Sequence, residues 1–364
     1  MSEAARAGGP ALRSTTGGSL PTVIHAADEA DAAEWTGFLR RNHGAELYHD
    51  YRWRSLIRDV FGHETHYLMA KDASGDVRGV LPLVRLRSRL FGDFLVSMPY
   101  FNYGGVLAES DEARESLVAE AGRLAAACGS AHVELRQREE PELGLPSRDD
   151  KVTMLLDLPD SEDALWKAFK PKLRAQIRRP EKEGCRVREG GAELLDDFYA
   201  VFSRNMRDLG TPVYSKRFFA AIASTFAAET WLVVVYLRDK PVAAGLLLAH
   251  GTTLEIPWAS SVREANRFGV NMLLYWTALR GAIARGCRTF DFGRSSKDSG
   301  TYRFKEQWGA RPRQLRWYYV LRDGEPMPML TPANPKYRLA VAAWQRLPLP
   351  IANLLGPHLV KNLP

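Results

Sequence analysis

The stretch Phe290-Asp291-Phe292-Gly293-Arg294-Ser295, followed by Gly300-Thr301-Tyr302-Arg303-Phe304-Lys305-Glu306-Gln307-Trp308-Gly309, is the part of this chain that says most about its fold. Its alternation of apolar and polar residues predicts a strand that ends at Gly and Arg, before a loop rich in Gly and Ser. The Tyr-x-Phe-Lys cluster then places one ammonium among aromatic rings. A lysine in such a water-poor position can bind a developing oxyanion or a carboxylate. The alternative is a lysine that snorkels to water from an ordinary hairpin.

The elements around this stretch occur twice in the chain. Each half contains a hairpin of two strands, a third strand, a loop, a helix that ends at Gly, and a final strand. The predicted hairpins are 66–70 with 77–84 in the first half and 231–236 with 241–248 in the second. The predicted helices are 111–127 and 270–285. In both halves an acidic residue, Glu134 or Asp291, lies five positions after the glycine that ends the helix.

This order predicts an α/β fold with two tandem domains, 22–150 and 151–325, each with a mixed sheet and with a cleft between or beside them. Residues 1–21 are small, polar and rich in Gly and Ser, which predicts a disordered tail. Residues 326–364 predict a Pro-rich, amphipathic tail. Within that tail Val341, Trp344, Leu347 and Ile351 lie either on a membrane surface or against the chain's own domain.

Composition restricts the partners without naming one. The chain has 364 residues and a formal net charge of +7, which favours an anionic partner such as nucleic acid, a phosphorylated substrate or an anionic lipid surface. Its three cysteines form no CxxC pair, so a reducing compartment is expected and a zinc site is not. The eight histidines show no metal-ligand spacing, and we assign no metal. No apolar run is long enough to span a membrane.

Arg174 and Arg178 lie one helical turn apart in a helix that is expected to begin at Pro171. Two guanidinium groups at that spacing can grip a phosphate. The alternative is a solvated basic face beside a core stripe of Leu173 and Ile177. Acidic residues soon follow, so an extended DNA-binding track is not expected.

Two aromatic segments are further candidates. In Tyr100-Phe101-Asn102-Tyr103-Gly104-Gly105 the glycine pair allows a ligand close to the backbone, and the segment would supply the first domain's share of a cleft. The alternative is a strand-end turn with half-buried aromatic rings. Tyr214, between two predicted helices, either faces the cleft or belongs to the turn.

Asp291 has two interpretations. As a general base it could take a proton from an attacking amine. Alternatively, a strand-interior Asp between two Phe residues holds a fixed partner or caps the loop that follows it. Glu134 at the repeated position favours the second interpretation.

The element order resembles the GNAT acyltransferase fold, in which a helix N-terminus accepts the pyrophosphate of the acyl donor. The corresponding loop here is 263–271, and the resemblance implies donor contacts from Arg267, Gly269 and Asn271. The loop lacks the glycine-rich Gln/Arg-x-x-Gly-x-Gly/Ala pattern of that fold, which leaves coenzyme A binding open.

Duplicated GNAT domains that end in Asp-Phe-Gly-Arg-Ser and Tyr-x-Phe-Lys-x-x-Trp-Gly resemble the FemAB-related proteins. The resemblance is closer to the FemAB-like proteins associated with exosortase (PEP-CTERM) and exopolysaccharide loci, and it covers nearly all of 22–355. FemAB enzymes transfer an aminoacyl group from aminoacyl-tRNA to an amine of a peptidoglycan precursor. The resemblance implies catalytic roles for Lys305 and Asp291. It implies substrate contacts from Tyr100, Asn102, Tyr103, Arg174, Arg178, Tyr214, Trp258, Arg294 and Tyr302.

The expected activity is therefore direct N-acyl or aminoacyl transfer to an amine of an envelope or exopolysaccharide precursor, with Lys305 stabilising the oxyanion. No cofactor is expected beyond the donor, which is either aminoacyl-tRNA or acyl-CoA. The expected partners are a small-molecule or lipid-linked precursor and aminoacyl-tRNA, in the cytoplasm or at the inner face of the membrane. Two alternatives stay open: a non-catalytic binding or assembly factor of an exopolysaccharide or exosortase system, and an ordinary acyl-CoA-dependent N-acetyltransferase.

Overall fold

The computed structural model describes residues 22–138, 142–322, 324–328 and 335–363, with side chains from 339 onward in the last range. The tail predicted at 1–21 lies outside the described residues. The strands are β1 Val23–Ala26, β2 Glu64–Lys71, β3 Val77–Ser88, β4 Gly92–Val96, β5 Leu107–Ala108, β6 His132–Arg138, β7 Ser147–Arg148, β8 Lys151–Asp157, β9 Cys185–Gly190, β10 Thr230–Leu237, β11 Lys240–His250, β12 Thr253–Ser261, β13 Thr289–Ser296 and β14 Arg311–Leu321.

The helices are α1 Ala32–Arg41, α2 Arg52–Phe61, α3 Asp111–Cys128, α4 Glu162–Ala168, α5 Pro171–Lys182, α6 Leu195–Leu209, α7 Lys216–Thr225, α8 Val270–Ala284, α9 Gly300–Glu306, α10 Pro335–Gln345 and α11 Leu349–Val360. Serine hydroxyls cap the first turn of several of them, as Ser110 caps α3 and Ser299 caps α9. The predicted helices at 111–127 and 270–285 are confirmed as α3 and α8. Pro171 is the first residue of α5, as predicted.

The strands form one continuous sheet in the order β1-β2-β3-β4-β6-β14-β8-β13-β12-β11-β10-β9, with β5 beside β3 and β7 beside β14. Strand β14 lies at the junction of the two halves. Its residues 315–321 pair antiparallel with β6 of the first half, and its residues 311–314 pair antiparallel with β8 of the second half. One strand thus completes the sheets of both halves. The boundaries of the two domains, 22–150 and 151–325, stay predictions.

The predicted repeat is present. The run β2-β3-β4-α3-β6 in the first half has the same order as β10-β11-β12-α8-β13 in the second. In each run the third and last strands are parallel and all other pairs are antiparallel. The register places Val96 opposite Glu134 in the first half and Glu255 opposite Asp291 in the second. The mixed sheets predicted from the sequence are therefore confirmed.

The parallel pairing of β12 with β13 ends at Glu255 and Asp291, although both strands continue. Gly293 then takes a φ of +75°, and the register of β13 against β8 shifts between Asp291 and Arg294. A positive φ favours glycine because it has no Cβ to clash. The two strands therefore part at this point and leave a gap between them.

Apolar side chains from the sheet and the helices form the core. Helix α8 is buried along most of its length, and α5 packs against it through Leu173 and Ile177. The predicted core stripe of α5 is therefore confirmed. Inside α8 the backbone comes close to a strand: a Cβ at Gly281 would lie 2.0 Å from the ring of Trp231. The C-terminal helices α10 and α11 both contact α6, so this part of the tail packs against the chain's own body.

Candidate functional site

A cavity of about 350 Å³ lies where β12 and β13 part. Both halves of the chain line it. The first half contributes Tyr48, Tyr100, Phe101 and Asn102, and the second half contributes Glu255, Ile256, Pro257, Ala259, Tyr275, Phe292, Gly293, Arg294, Thr301 and Lys305. The cavity is thus a cleft between the halves, and it contains a carboxyl group and an ammonium group among aromatic rings.

Lys305 lies on the short helix α9, which Ser299 caps by accepting a hydrogen bond from the backbone N–H of Tyr302. Its side chain is 7% exposed, and Nζ donates to the carbonyl oxygens of Gly293 and Arg294, each at 2.9 Å. Burial lowers the pKa of this ammonium to about 8. The alternative of a snorkelling lysine is therefore wrong. Because an ammonium has three N–H donors, the described bonds leave one for a bound group.

Glu255 lies on β12 and is 6% exposed. Its Oε2 accepts a 2.5 Å hydrogen bond from the Tyr48 hydroxyl, and its Oε1 has no hydrogen-bond partner among the described residues. Burial and the nearby Asp291 carboxylate raise the pKa of Glu255 well above its ordinary value. A buried carboxyl group of this kind, with one oxygen unbonded in a cleft, can take up a proton from an amine.

A second, smaller cavity of about 50 Å³ lies on the other side of Glu255. Glu255 and Tyr48 line both cavities and so separate them. Glu46 and Arg138 in the smaller cavity form an ion pair of 3.0 Å. Burial raises the pKa of Glu46 to about 7, whereas it lowers the pKa of His250. Buried groups with altered acidity therefore lie directly behind Glu255.

Asp291 is fully buried and does not line the cavity around Lys305. Its carboxylate accepts hydrogen bonds from the Tyr103 hydroxyl, from Thr153 Oγ1 at 2.7 Å and from the Gly293 N–H at 2.7 Å. These three donors come from three segments of the chain, one of them in the first half. The geometry favours the interpretation in which Asp291 binds fixed partners. Its hydrogen bonds hold β13 in place at the point where this strand parts from β12. The catalytic interpretation stays a prediction.

Three of the predicted substrate-binding residues line the cavity with Lys305: Tyr100, Asn102 and Arg294. The Arg294 guanidinium lies 4.9 Å from the ring centroid of Trp317, whose Nε1 donates to the Asn102 carbonyl at 3.1 Å. Tyr100 has a φ of +76°, and its hydroxyl donates a 2.6 Å hydrogen bond to the Lys361 carbonyl. A non-glycine residue at positive φ is uncommon, so Tyr100 is held in place by its surroundings.

Four other predicted residues lie behind the wall of the cavity. Tyr103 is buried against Asp291. Tyr214 packs edge-on against Tyr100 at 5.5 Å, and Trp258 packs edge-on against Tyr214 at 6.5 Å. Tyr302 packs, partly buried, against the main core. These residues shape the cavity from behind.

The remaining five predicted residues lie elsewhere. The Arg178 guanidinium stacks over Trp166 at 5.0 Å, and that of Arg267 stacks over Phe268 at 4.7 Å. Asn271 donates to Ser261 Oγ at 3.0 Å, and Gly269, with a φ of +78°, packs against Pro180. In the structure as described, neither these residues nor Arg174 lines the cavity around Lys305. Their phosphate-binding and donor-binding roles stay predictions.

Sequence reasoning did not single out Tyr48 or Glu255. A signal for Glu255 was present, because it is the one acidic residue within the apolar strand Leu254-Glu255-Ile256. An acid on a strand that is otherwise buried needs a partner or a function. Tyr48 carried no comparable signal, since its partner lies 207 positions away.

A larger groove of about 850 Å³ lies beside α4, α5 and the end of α9. Its charged residues, Asp157, Lys170, Lys172 and Glu306, are all exposed. It therefore lacks buried groups with altered acidity, and we assign the chemistry to the smaller cavity. Among the residues that the structure describes, no cluster of His, Cys, Asp and Glu could hold a metal ion, and no helix is both long and apolar enough to cross a bilayer.

Comparison with known proteins supports the GNAT fold. Residues 167–306 match the family described as "Acetyltransferase (GNAT) domain". This range runs from the end of α4 to the end of α9 and contains β12, β13 and Lys305. No curated protein matches the chain.

Solved structures resemble nearly the whole chain. FemX is 16% identical with a TM-score of 0.59, over 83% of this chain and 98% of that one. L-PGS from Bacillus licheniformis is 14% identical with a TM-score of 0.54, over 88% of this chain and 98% of that one. A tandem GNAT protein from the clavulanic acid biosynthesis pathway is 12% identical with a TM-score of 0.53, over 85% of this chain and 99% of that one. The predicted fold of two GNAT-like units in tandem is therefore confirmed.

Proposed function

We propose that this protein is a FemAB-like N-acyltransferase or aminoacyltransferase that forms an amide bond by direct transfer. The observation that carries the proposal is the position of Lys305 and Glu255 in one buried cleft, at the point where β12 and β13 part. Both halves of the chain supply its walls. The match of 167–306 to a GNAT acetyltransferase domain supports the reaction class.

In the reaction, the nitrogen lone pair of the acceptor amine attacks the acyl carbonyl carbon of the donor. The new N–C bond forms as the carbonyl π-electrons move to oxygen, and the Lys305 ammonium donates a hydrogen bond to that oxyanion. The nitrogen passes its proton to the Glu255 carboxylate, whose raised pKa makes it a stronger base than an ordinary Glu. The oxyanion then collapses and expels the leaving group as a thiolate or a ribose alkoxide, which takes up the proton that Glu255 received.

The donor is either aminoacyl-tRNA or acyl-CoA, and the reaction uses no cofactor beyond it. The acceptor is an amine of a small-molecule or lipid-linked cell-envelope precursor, such as a peptidoglycan or exopolysaccharide unit. The structural likeness to FemX and the Asp-Phe-Gly-Arg-Ser motif support this class of acceptor. Such precursors are assembled in the cytoplasm or at the inner face of the membrane, where we place the protein.

The test is a transfer assay with labelled aminoacyl-tRNA and labelled acetyl-CoA against amine-bearing acceptors. The acceptors are muropeptides linked to a nucleotide, free amino sugars and a lipid-linked amino sugar. We expect labelled amide with one donor class, identified by mass spectrometry, and about a hundredfold or more less of it per unit time with Lys305→Met. The absence of amide with every donor, together with binding of an acceptor or a protein partner, would favour the binding or assembly factor instead.

A further inference from the structure

Helix α11 turns its larger apolar side chains outward. Ile351, Leu354 and Leu355 are 44%, 68% and 44% exposed. With His358, which is also exposed, they follow the spacing i, i+3, i+4 and i+7 of a single helical face. In most surface helices this spacing marks the side that packs on the core.

The opposite side of α11 is made of small residues. Ala352, Gly356 and Val360 are buried. The fit at Gly356 is close, because a Cβ there would lie 2.8 Å from the backbone nitrogen of Val213. Helix α11 therefore cannot turn its leucines inward without losing this contact.

The apolar face lies in a segment without negative charge. Residues 326–364 contain no Asp or Glu, whereas they contain Lys336, Arg338, Arg346 and Lys361. Leu339 on α10 is 74% exposed, and Arg346, directly after α10, is exposed as well. Apolar side chains among positive charges are complementary to anionic lipid headgroups over acyl chains. A second copy of the same chain would bring a like-charged surface to the contact, which disfavours self-association.

We propose that the exposed face of α11, formed by Ile351, Leu354, Leu355 and His358, binds an anionic lipid surface. The three apolar residues of α11 enter the boundary between headgroups and acyl chains. Arg346, which is exposed, contacts the headgroups. The sequence left Val341, Trp344 and Leu347 either on a membrane surface or against the chain's own domain, and the structure leaves these three half-buried.

The end of α11 is joined to the candidate site. The carbonyl oxygen of Lys361 accepts the 2.6 Å hydrogen bond from the Tyr100 hydroxyl and lies 2.7 Å from Nε2 of His63. The ring of Tyr100 lines the cleft that contains Lys305. A bilayer under α11 therefore lies close to the cleft, which suits an amine acceptor carried on a lipid. The inference that a lipid-borne acceptor reaches the cleft rests on the proposed function, whereas the lipid binding itself does not.

The test is sedimentation of the full chain with vesicles of phosphatidylcholine alone or of phosphatidylcholine mixed with phosphatidylglycerol, whose negative surface potential attracts basic segments. We expect at least about tenfold tighter binding to the anionic vesicles, weakened by salt. The triple variant Ile351→Ser, Leu354→Ser, Leu355→Ser should lose this binding and keep its melting temperature, because the three side chains are exposed. Leu90→Ser is the matched control, since Leu90 is 72% exposed in the turn between β3 and β4.

Wild-type binding that is absent, or that the triple variant retains, would overturn the proposal. Light scattering that shows a dimer abolished by the triple variant would also overturn it in favour of a second copy. In the transfer assay the triple variant should keep its turnover on a water-soluble acceptor and lose it on a vesicle-borne one. If no acceptor is ever turned over, the proposed function fails while the vesicle result still decides the lipid surface.

Discussion

The hydroxyl of Tyr48 donates a 2.5 Å hydrogen bond to Oε2 of Glu255. A residue of the first half therefore holds a carboxyl group of the second half that lines the cleft between them. The bond leaves the buried Oε1 without a hydrogen-bond partner among the described residues. It also lowers the pKa of Glu255, against the larger effect of burial. The first half therefore adjusts the acidity of a group on the half that carries Lys305.

Replacing Tyr48 should change the pH dependence of transfer. Without its hydroxyl, the pKa of Glu255 rises further, so more of the carboxyl is protonated at neutral pH and cannot accept a proton. We expect the rising limb of the profile of kcat/KM against pH to move to higher pH in Tyr48→Phe. Glu255→Gln should lose that limb together with about a hundredfold or more in rate. Tyr51→Phe is the control, because the Tyr51 hydroxyl bonds to the Asp28 carbonyl and Tyr51 does not line the cleft. An unchanged limb in Glu255→Gln would remove Glu255 from the mechanism.

Lys305 should matter far more to rate than to stability. Lys305→Met should cost about a hundredfold or more in kcat, as loss of an oxyanion donor does. Two hydrogen bonds are lost, at about 1 kcal/mol each, but the cost of burying a charge disappears with them. We therefore expect a change of less than about 2 kcal/mol in the free energy of unfolding. Lys305→Arg should restore little activity because a planar fork does not replace a compact ammonium. Thermal melts beside turnover separate the two effects, and a variant that simply unfolds would contradict this account.

The lowered pKa of Lys305 should make both the activity and the stability of the protein depend on pH. Its pKa is lowered from 10.5 to about 8 in the folded state. The oxyanion donor must be protonated, so activity should fall as pH rises through about 8. Between about pH 8 and 10.5 the unfolded chain binds more protons at this lysine than the folded chain, so this group's contribution to stability rises with pH across that window. Titration of kcat/KM and urea unfolding at several pH values check the two signs. A falling limb that persists in Lys305→Met would belong to another group.

Asp291 should behave as a structural residue. In Asp291→Asn an amide NH₂ replaces one acceptor oxygen and meets the donors of Tyr103, Thr153 and Gly293, which leaves buried donors unsatisfied. We expect a loss of about 2–4 kcal/mol in urea unfolding. Asp157→Asn, at the exposed end of β8, should change stability by less than about 0.5 kcal/mol. An Asp291→Asn protein of normal stability but no activity would instead support the general-base interpretation.

Two glycines in helices should respond to alanine in opposite ways. Gly37 in α1 has open space around its Cα, so Gly37→Ala should stabilise the fold by about 0.5–1 kcal/mol. In α8 a Cβ at Gly281 would lie 2.0 Å from the ring of Trp231, so Gly281→Ala should cost about 1–3 kcal/mol despite the better helix propensity. The denaturant midpoints of the two variants test this prediction. Equal shifts of the two midpoints would mean that the contact with Trp231 is unimportant.

Free acetyl-CoA should bind weakly or not at all. The loop at 263–271 lacks the glycine-rich pattern, and its Arg267 is held over Phe268 while Asn271 bonds to Ser261. Isothermal calorimetry measures this directly. Tight binding, with the cofactor seen at residues 267–271, would identify an ordinary acetyltransferase.

The sequence predicts the tandem fold because local signals coincide with it. Glycines such as Gly129 and Gly286, both at positive φ, mark the helix ends, and strand periodicity marks the hairpins. Lys305 could be found because its motif is local. Glu255 and Tyr48 meet only after the two halves associate, and pairing over such a distance leaves no local pattern. The basic face of α5 is the opposite case, because a clear local pattern gave no information about the site. Arg174 and Arg178 have good helical spacing, but this spacing does not show whether their side of the helix faces the cleft.

The orientation of α11 could not be decided from the sequence, which left Ile351 either on a membrane surface or against the chain's own domain. Apolar residues at this spacing usually mark the buried side of a helix, whereas here Gly356 fits against Val213 and Ile351, Leu354 and Leu355 stay exposed. Tertiary contact thus overrides a correct helical pattern.

Strand β14 has a consequence for how the protein is made. It follows every other described strand in the chain, yet it pairs with both β6 and β8. During synthesis the first half leaves the ribosome with the edge of β6 open, and open edges are where chains associate wrongly. Neither half is finished until β14 has emerged, so the two units mature in a single late step. The two repeated units therefore form one cooperative product.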